Sequence, residues 1–450
     1  MSTKLSCFRT ISAKIVHGLT PLGTDQRGTV AVMTGLLLPV LLGSLGLGFE
    51  ISNWYLKSRW MLNAADSAAI AAAGNGKDNY DVEAKAVAAQ YGFVDGSNNV
   101  TVKVSNNAAC PSGGNDCYSV TITNPVPLYL SQFVGFVGDT KLDGSNATTL
   151  TSTSIAKKRI EPTPVCLLAL AGSGTEGIRT NGAPKADLAN CNVMSNTTST
   201  CNGHNLNATI GAAHEKNNGC GIVQYSDVPT SLDPYSGLAS NIPSNTCSSY
   251  PQVPAKKKDP PLPPSNQWSG PQFLNGNVIV CGDLQLTGNV TINAPGGAVL
   301  VIENGQLDTN GYTLSTTNIS ALTIVFSGTN GGGYTHAPTG GGTLDFNAPT
   351  TGPWSGVAIY QDPSLTSGVD ISAAGNSPTW KITGLVYLPH ASVTFSGAVN
   401  KSSNGESCFV LVVDNITING TGSILETGGC QAAGLNMPTA QLPGRGELVY

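Results

Sequence analysis

Between Arg27 and Glu50 the chain carries no ionisable side chain, and the run Thr29 to Phe49 is almost wholly apolar. About 20 apolar residues at a rise of 1.5 Å cross the hydrocarbon core of a bilayer, so this run predicts a transmembrane helix. Pro39 interrupts it, which a membrane helix tolerates better than a soluble one. Trp54, Tyr55 and Trp60 follow directly, where amphipathic rings favour the membrane–water boundary. Upstream stand Lys4, Arg9, Lys14 and Arg27 against Asp25; downstream the first charge is Glu50. Cationic flanks stay cytoplasmic, so the N-terminus is expected inside and everything beyond Phe49 outside. The run is longer than a signal-peptide core and the Ala tract at Ala68 to Ala73 lies too far downstream for ordinary cleavage, which favours an uncleaved anchor.

Charge and cysteine usage agree with that compartment. The net charge is −5, and with +3 in the first 28 residues the remainder carries −8, a poor match for a nucleic-acid binder. Only 11% of residues are charged and 54 are Gly, a turn-rich composition suited to extracytoplasmic β structure. Of 11 cysteines, Cys7 precedes the anchor. The other ten lie beyond it: Cys110, Cys117, Cys166, Cys191, Cys201, Cys220, Cys247, Cys281, Cys408 and Cys430. An even number on the oxidising side is what disulfide pairing requires. Cys110 and Cys117 flank a turn-like segment and are expected to pair locally; the remaining connectivity is open.

Periodicity divides the rest. Residues 1–28 form a cytoplasmic tail and 29–49 the transmembrane helix. Residues 50–75 extend it as an Ala-rich helix, with Ile51, Tyr55, Leu62, Ala65 and Ala69 on one stripe. Ala64, Ala68 and Ala72 make a small-residue ridge, as Ser44 and Gly48 do lower down, and such ridges let helices approach closely. The ridge serves either packing within its own domain or bundling with pilin-like partners. Gly74 to Gly76 end the helix. Residues 76–160 read as a small α+β domain: a helix over Asp81 to Tyr91, a hairpin from Val100–Val104 and Tyr118–Ile122, a short apolar helix over Leu128 to Phe136, and a strand over Thr148 to Ala156. Residues 161–250 form a polar, Cys-rich β region needing covalent staples, and 251–270 a Pro-rich linker.

Across 271–450 short strands recur between Asn/Gly corners: Val278–Val280, Leu284–Leu286, Val290–Ile292, Val299–Ile302, Leu322–Phe326, Val357–Tyr360, Ile382–Tyr387, Val393–Phe395, Cys408–Val413 and Ile416–Ile418. Stacked short strands with such corners predict a parallel β-helix, with an antiparallel sandwich or jelly roll as the competing fold. The expected class is therefore a membrane-anchored α+β chain: a transmembrane helix, a small α+β domain and a large C-terminal β domain.

Chemistry has little to work with. Cys201, His204, His214 and Cys220 have the residue types of a tetrahedral zinc site, but outside the membrane such cysteines more often pair. Asp345, Asp362, Asp370 and Asp414 are scattered rather than paired, as polysaccharide-cleaving carboxylates would need to be. There is no phosphate-binding loop, no nucleophile elbow and no His-Glu-x-x-His. A non-enzymatic protein without cofactor or metal is expected. Glu50 stands alone at the membrane edge, either as a helix-exit residue or as a pairing point for a partner's cation.

Arg27-Gly-Thr-Val-Ala-Val-Met, the Leu/Gly-rich run, Gly48-Phe-Glu, Trp54-Tyr-Leu-Lys-Ser-Arg and Leu62-Asn-Ala-Ala-Asp-Ser-Ala-Ala-Ile-Ala-Ala-Ala together resemble the N-terminal segment of Tad (tight adherence) Flp pilus-assembly proteins of the TadE/TadG-like type. In that family an acidic residue ends the membrane run, here Glu50. Prepilin-type processing wants a Glu five residues after the cleaved Gly; Met33 stands there relative to Gly28, so that cleavage is not expected. Cys166 to Leu170 and Gly384 to Phe395 look like the β-rich exported region of several TadG-like proteins, whereas the Asp-x-Ser-x-Ser metal motif of their von Willebrand A-type domains is missing. The resemblance implies a bitopic protein of the bacterial inner membrane with its large domain periplasmic or at the cell surface. It implies pilus-assembly and pilin-like partners. The alternatives are a surface adhesin binding a glycan or host protein, and a β-helix carbohydrate-active enzyme.

Overall fold

A computed structural model of the chain describes residues 27–75, 79–114, 116–182, 188, 191–366, 370–372, 379–395, 408–419 and 434–449. The expectations for the tail, Cys7 and Cys430 fall outside them. Contacts group the chain into two compact units, Met1–Arg159 with Gly444–Tyr450 and Ile160–Pro443.

The first unit is organised by helix α1, Arg27–Asn75, which passes through Pro39 without a break and is long and apolar enough to cross a membrane. From Val30 to Leu45 its side chains are exposed and, apart from Thr34 and Ser44, apolar, among them Val30, Leu36, Leu41 and Leu45. Its second half buries Met61, Ala64, Ala65, Ala68, Ala69, Ala72 and Ala73 completely. The expected stripe holds only from Leu62 upward, because Ile51 and Tyr55 are more than half exposed. Helix α2, Tyr80–Gln90, lays Ala84 and Ala88 against that alanine face; Asp81 and Glu83 in its first turn suit the positive end of the helix dipole. The same core takes Val102 from strand β1 (Thr101–Ala108) and Val120 and Ile122 from β2 (Cys117–Pro127). These strands pair antiparallel with Val102 opposite Ile122, and a disulfide joins Cys110 to Cys117, Cα atoms 5.4 Å apart, across the hairpin. Strand β3 (Thr140–Leu142) and the longer β4 (Ser145–Pro164) follow, and the order β1-β2-β4 ends on the strand Thr439–Leu448. The helix expected over Leu128 to Phe136 is not formed: only a 3₁₀ turn, Ser131–Val134, occupies it, stopped by Gly135 at φ 89°.

The second unit is a large, mostly parallel sheet. One ladder can be followed residue by residue: Leu300 pairs with Ile324, Ile324 with Ile359, Ile359 with Val386 and Val386 with Leu411. Leu411 then pairs with Leu167, Leu167 with Val193 and Val193 with Gly211. A second ladder stacks Val290, Leu314, Leu344 and Trp380. These positions are apolar and, apart from the glycine, buried in one core, each row meeting the next as parallel pairing places like side chains over like. The steps between paired residues are uneven, so no strict repeat shows in the sequence.

The two ladders have consequences for the expected partition. The Cys-rich region, the linker and the β domain, expected as three pieces, fall within one unit. The Cys-rich strands continue the ladder beyond the strand Phe409–Asn419, which lies between the strand Thr379–Phe395 and the strand Leu167–Ala169. Residues 228–242 cross over the other face of the first ladder, where Val228 and Tyr235 join a second core with Met194, Val301, Val325, Tyr360 and Val412. Tyr360 donates to the carbonyl of Tyr235 at 2.9 Å, and Tyr387, stacked on Tyr360 at 4.8 Å, donates to Asp233 Oδ2 at 2.6 Å. With both faces covered, strands such as Leu322–Ser327 are buried at every position, which is why they read as unbroken apolar runs. The expected linker begins pinned: Asp283 takes the N–H of Val253 at 2.7 Å, and Cys247 is bonded to Cys281. Its longest exposed stretch is Pro254 to Pro261, after which Leu262, Asn266 and Trp268 are buried.

Candidate functional site

The two residues of most interest at the top of the apolar run are Glu50 and Gly46. Glu50 is only 5% exposed. Its carboxylate accepts the backbone N–H groups of Tyr129, Leu130 and Ser131, each at 2.8 Å, and the Ser131 hydroxyl at 3.2 Å. These are the N–H groups that open the 3₁₀ turn and have no partner within it, so the carboxylate acts as the turn's cap. Four donors on two oxygens is the arrangement an ionised carboxylate satisfies. Glu50 is thus occupied by its own chain, which corrects both sequence expectations: it is neither a bare helix-exit residue nor free to pair with a partner's cation. Below it, a Cβ at Gly46 would meet Leu130 Cδ1, so a larger residue there would have to push that side chain aside. Gly48 has open space around it, and the Ser44 hydroxyl bonds only the carbonyl of Leu41 in the same helix, at 2.9 Å. Above, Trp54 and Phe136 bring their rings to 5.9 Å.

The alanine ridge is likewise consumed. Ala64, Ala68 and Ala72 are 0% exposed and pack against α2 and the sheet of the first unit. The bundling surface expected of them is therefore not available to another helix. The Ser152 hydroxyl reaches the carbonyl of Ser58 at 3.2 Å, which is possible only where small side chains allow a strand close to the helix backbone.

The candidate zinc ligands separate. Cys201 and Cys220 form a disulfide, Cα atoms 4.9 Å apart, and so offer no thiolate. His204 Nδ1 accepts the N–H of Leu206 at 3.0 Å, and His214 Nδ1 lies 2.7 Å from the carbonyl oxygen of Val228. Cys166 is bonded to Cys191, and Cys408 is also disulfide-bonded. The scattered carboxylates do not converge: Asp362 Oδ1 takes the N–H of Ser364 at 2.8 Å in a turn, and Asp414 accepts from Asn415 at 2.8 Å.

A polar group that sequence reasoning missed lies at the end of the first ladder. Glu303, His336 and Gln361 are each at most 1% exposed. Glu303 Oε2 accepts from Asn245 at 3.0 Å, but Glu303 Oε1, His336 Nδ1 and Gln361 Oε1 have no partner. Burial, reinforced by the Asp362 charge, pushes the Glu303 carboxyl up, and burial pushes the His336 imidazole down despite Asp362. Both shifts run toward the neutral form, and at this burial no bulky substrate reaches either group. The only signal in the sequence was a Glu ending an otherwise apolar strand, Ala298–Glu303.

Comparison with known proteins bears on the first of these sites. A family model described as putative Flp pilus-assembly TadE/G-like matches residues 28–75. The N-terminal segment of this chain is TadE/G-like. The match is coextensive with α1, so it includes the apolar run, Glu50 and the alanine ridge. Against curated proteins and solved structures the chain gave no match.

Proposed function

We propose that the chain is a single-pass component of a Tad/Flp pilus-assembly or secretion apparatus in a bacterial inner membrane, acting by contact rather than by catalysis. The carrying observation is the coincidence of the TadE/G-like match with a helix whose charge-free run from Val30 to Leu45 is exposed and almost wholly apolar. Such a run is suited to a lipid environment. The cationic flank at Lys4, Arg9, Lys14 and Arg27 supports an N-terminus in the cytoplasm and everything beyond Phe49 outside. The disulfides in both units are consistent with that compartment.

In this reading residues 160–443 wind as a parallel β-helix. The support is the pair of parallel ladders, each with apolar residues stacked at equivalent positions. Such stacks present long surfaces that bind partners. The partners are pilus-assembly and pilin-like proteins.

The test is affinity purification of the full chain from detergent-solubilised membranes, with identification of what accompanies it. Co-purification of other pilus-assembly proteins, and loss of pili on deleting the gene, is the expected result. Unchanged piliation, or cleavage of a polysaccharide by the purified protein, overturns the proposal. An epitope inserted at the exposed turn Ser97–Asn98 should be reached by antibody only from the periplasmic side.

A further inference from the structure

The segment Leu128 to Gly138 reads Leu-Tyr-Leu-Ser-Gln-Phe-Val-Gly-Phe-Val-Gly, with no carboxylate, amine or guanidinium. It is an exposed loop, yet it shows solvent Phe133 at 82%, Val134 at 67%, Tyr129 at 65% and Val137 at 63%, with Phe136 and Leu130 also exposed. Water-facing loops are polar, and a contiguous apolar cluster of this kind marks a contact surface. Its position is fixed by three contacts with α1 inside the same unit. Leu130 fits over Gly46, the Glu50 carboxylate holds the N–H groups of residues 129–131, and Phe136 meets Trp54. Leu128, 4% exposed, anchors the loop from behind. The loop therefore sits beside the upper end of the apolar run. Gly46 lies four residues before Glu50, about 6 Å lower along a helix that rises 1.5 Å per residue.

We infer that this loop is a second lipid contact: the Phe133 tip dips into the headgroup–acyl boundary of the membrane that α1 crosses, and Glu50 is the positioning residue that sets its depth. The inference rests on the membrane anchor proposed above. The occupant is a bilayer because the loop continues the exposed apolar surface of Leu42, Leu45 and Phe49. About 5–10 Å is also the depth at which interfacial segments bury their apolar faces. Tyr129 and Trp54 bring the amphipathic rings that favour that zone. The first charge after the loop is Asp139, which is exposed and whose Oδ1 takes the N–H of Thr149 at 2.8 Å. Two contacts with the membrane, one spanning and one lying in the interface, fix the rotation of the first unit about the helix axis.

The test uses the full chain with Cys7→Ser, reconstituted in phosphatidylcholine–phosphatidylglycerol vesicles and carrying one nitroxide at a time. Phe133→Cys and, independently, Val137→Cys probe the loop; Ser44→Cys marks the apolar run; Leu232→Cys, 87% exposed in the second unit, marks water. Collision with oxygen is compared with collision with a water-soluble nickel chelate. The loop labels are expected to favour oxygen several-fold more than Leu232 does, and the Glu50→Ala variant to erase that difference. Loop labels that match Leu232 overturn the inference, and so do labels shielded from both reagents, which would place a protein on the loop. If Ser44 also reports water, the anchor itself is wrong; if Ser44 reports lipid and Phe133 water, only the loop contact is.

Discussion

In the first unit the buried face of α1 is built from Ala64, Ala68 and Ala72; in the second, the stacked positions are Leu300, Ile324, Ile359, Val386 and Leu411. Both sets are essentially sealed from water, but they are sealed differently. Alanines bring backbones together, so there is no room for a larger side chain. The aliphatic rows fill the space between strands, so nothing else replaces a smaller one. Opposite substitutions should therefore do damage in the two units, and α1 contains its own control: below Glu50, where large apolar residues are exposed, size should hardly matter.

The largest effect is expected at Ile324→Ala. It leaves a hole between Leu300 and Ile359 and should cost about 2–5 kcal/mol in the denaturant unfolding of the second unit. An effect below about 1 kcal/mol would mean the ladder is not packed as described. Next is Glu50→Ala, which leaves three N–H groups without their acceptor and should destabilise the first unit by about 2–3 kcal/mol, with Glu50→Gln losing roughly half as much. Then comes Ala68→Leu, the inverse of Ile324→Ala, expected to cost about 1–3 kcal/mol through overpacking, whereas Leu37→Ala should leave unfolding unchanged. If Ala68→Leu is silent in unfolding but blocks assembly, the ridge serves a partner after all.

The polar counterpart of the comparison is Glu303, buried with a single donor where Glu50 has four. Its carboxyl is pushed above the ordinary 4.5 by burial and by Asp362. Stability from that group is present at acid pH and is lost as pH rises through the raised value. Glu303→Gln should therefore flatten the fall in melting temperature from acid to neutral pH, and an unaltered slope would place the pH dependence elsewhere. The smallest contrast is between two glycines. Gly48→Ala, in open space, should gain up to about 1 kcal/mol from helix propensity, and Gly46→Ala, which must push Leu130 aside, should gain less.

What could be read from the residues was whatever depends on local pattern. The apolar run, the helix through Ala73, the Cys110–Cys117 hairpin and the apolar strands from Val278 to Ile418 follow from spacing alone, although segments expected as separate strands, such as Leu284–Leu286 and Val290–Ile292, belong to one strand, Leu284–Asn293. What could not be read depends on distant pairing. Nothing near Leu167 announces that it lies beside Leu411, and the uneven steps of the ladder hide the order of stacking. Glu50 and Ser131 are 81 residues apart, so a carboxylate that reads as a helix exit becomes a cap only in three dimensions. The same bond bears on the failed helix at Leu128 to Phe136: its apolar residues suggested a short helix, but the turn is capped by Glu50 and stopped at Gly135. The buried Glu303, His336 and Gln361 carried no motif.

The place of the strand Phe409–Asn419 has a consequence for how the chain acquires its structure. It is among the last strands synthesised, yet both its neighbours, Thr379–Phe395 and Leu167–Ala169, come earlier, the second by most of the unit's length. Until it arrives, Leu167–Ala169 is an open edge with unpaired N–H and C=O groups, the kind that recruits other chains. The bonds Cys166–Cys191 and Cys201–Cys220 span 25 and 19 residues and can close before then, holding the early turns in shape while they wait. The first unit waits as well, since Gly446 and Leu448 pack against its helix and core only after the whole second unit has been made. Folding dominated by such late, long-range closures is slow, so the interval before they form is when this protein is most exposed to misassembly.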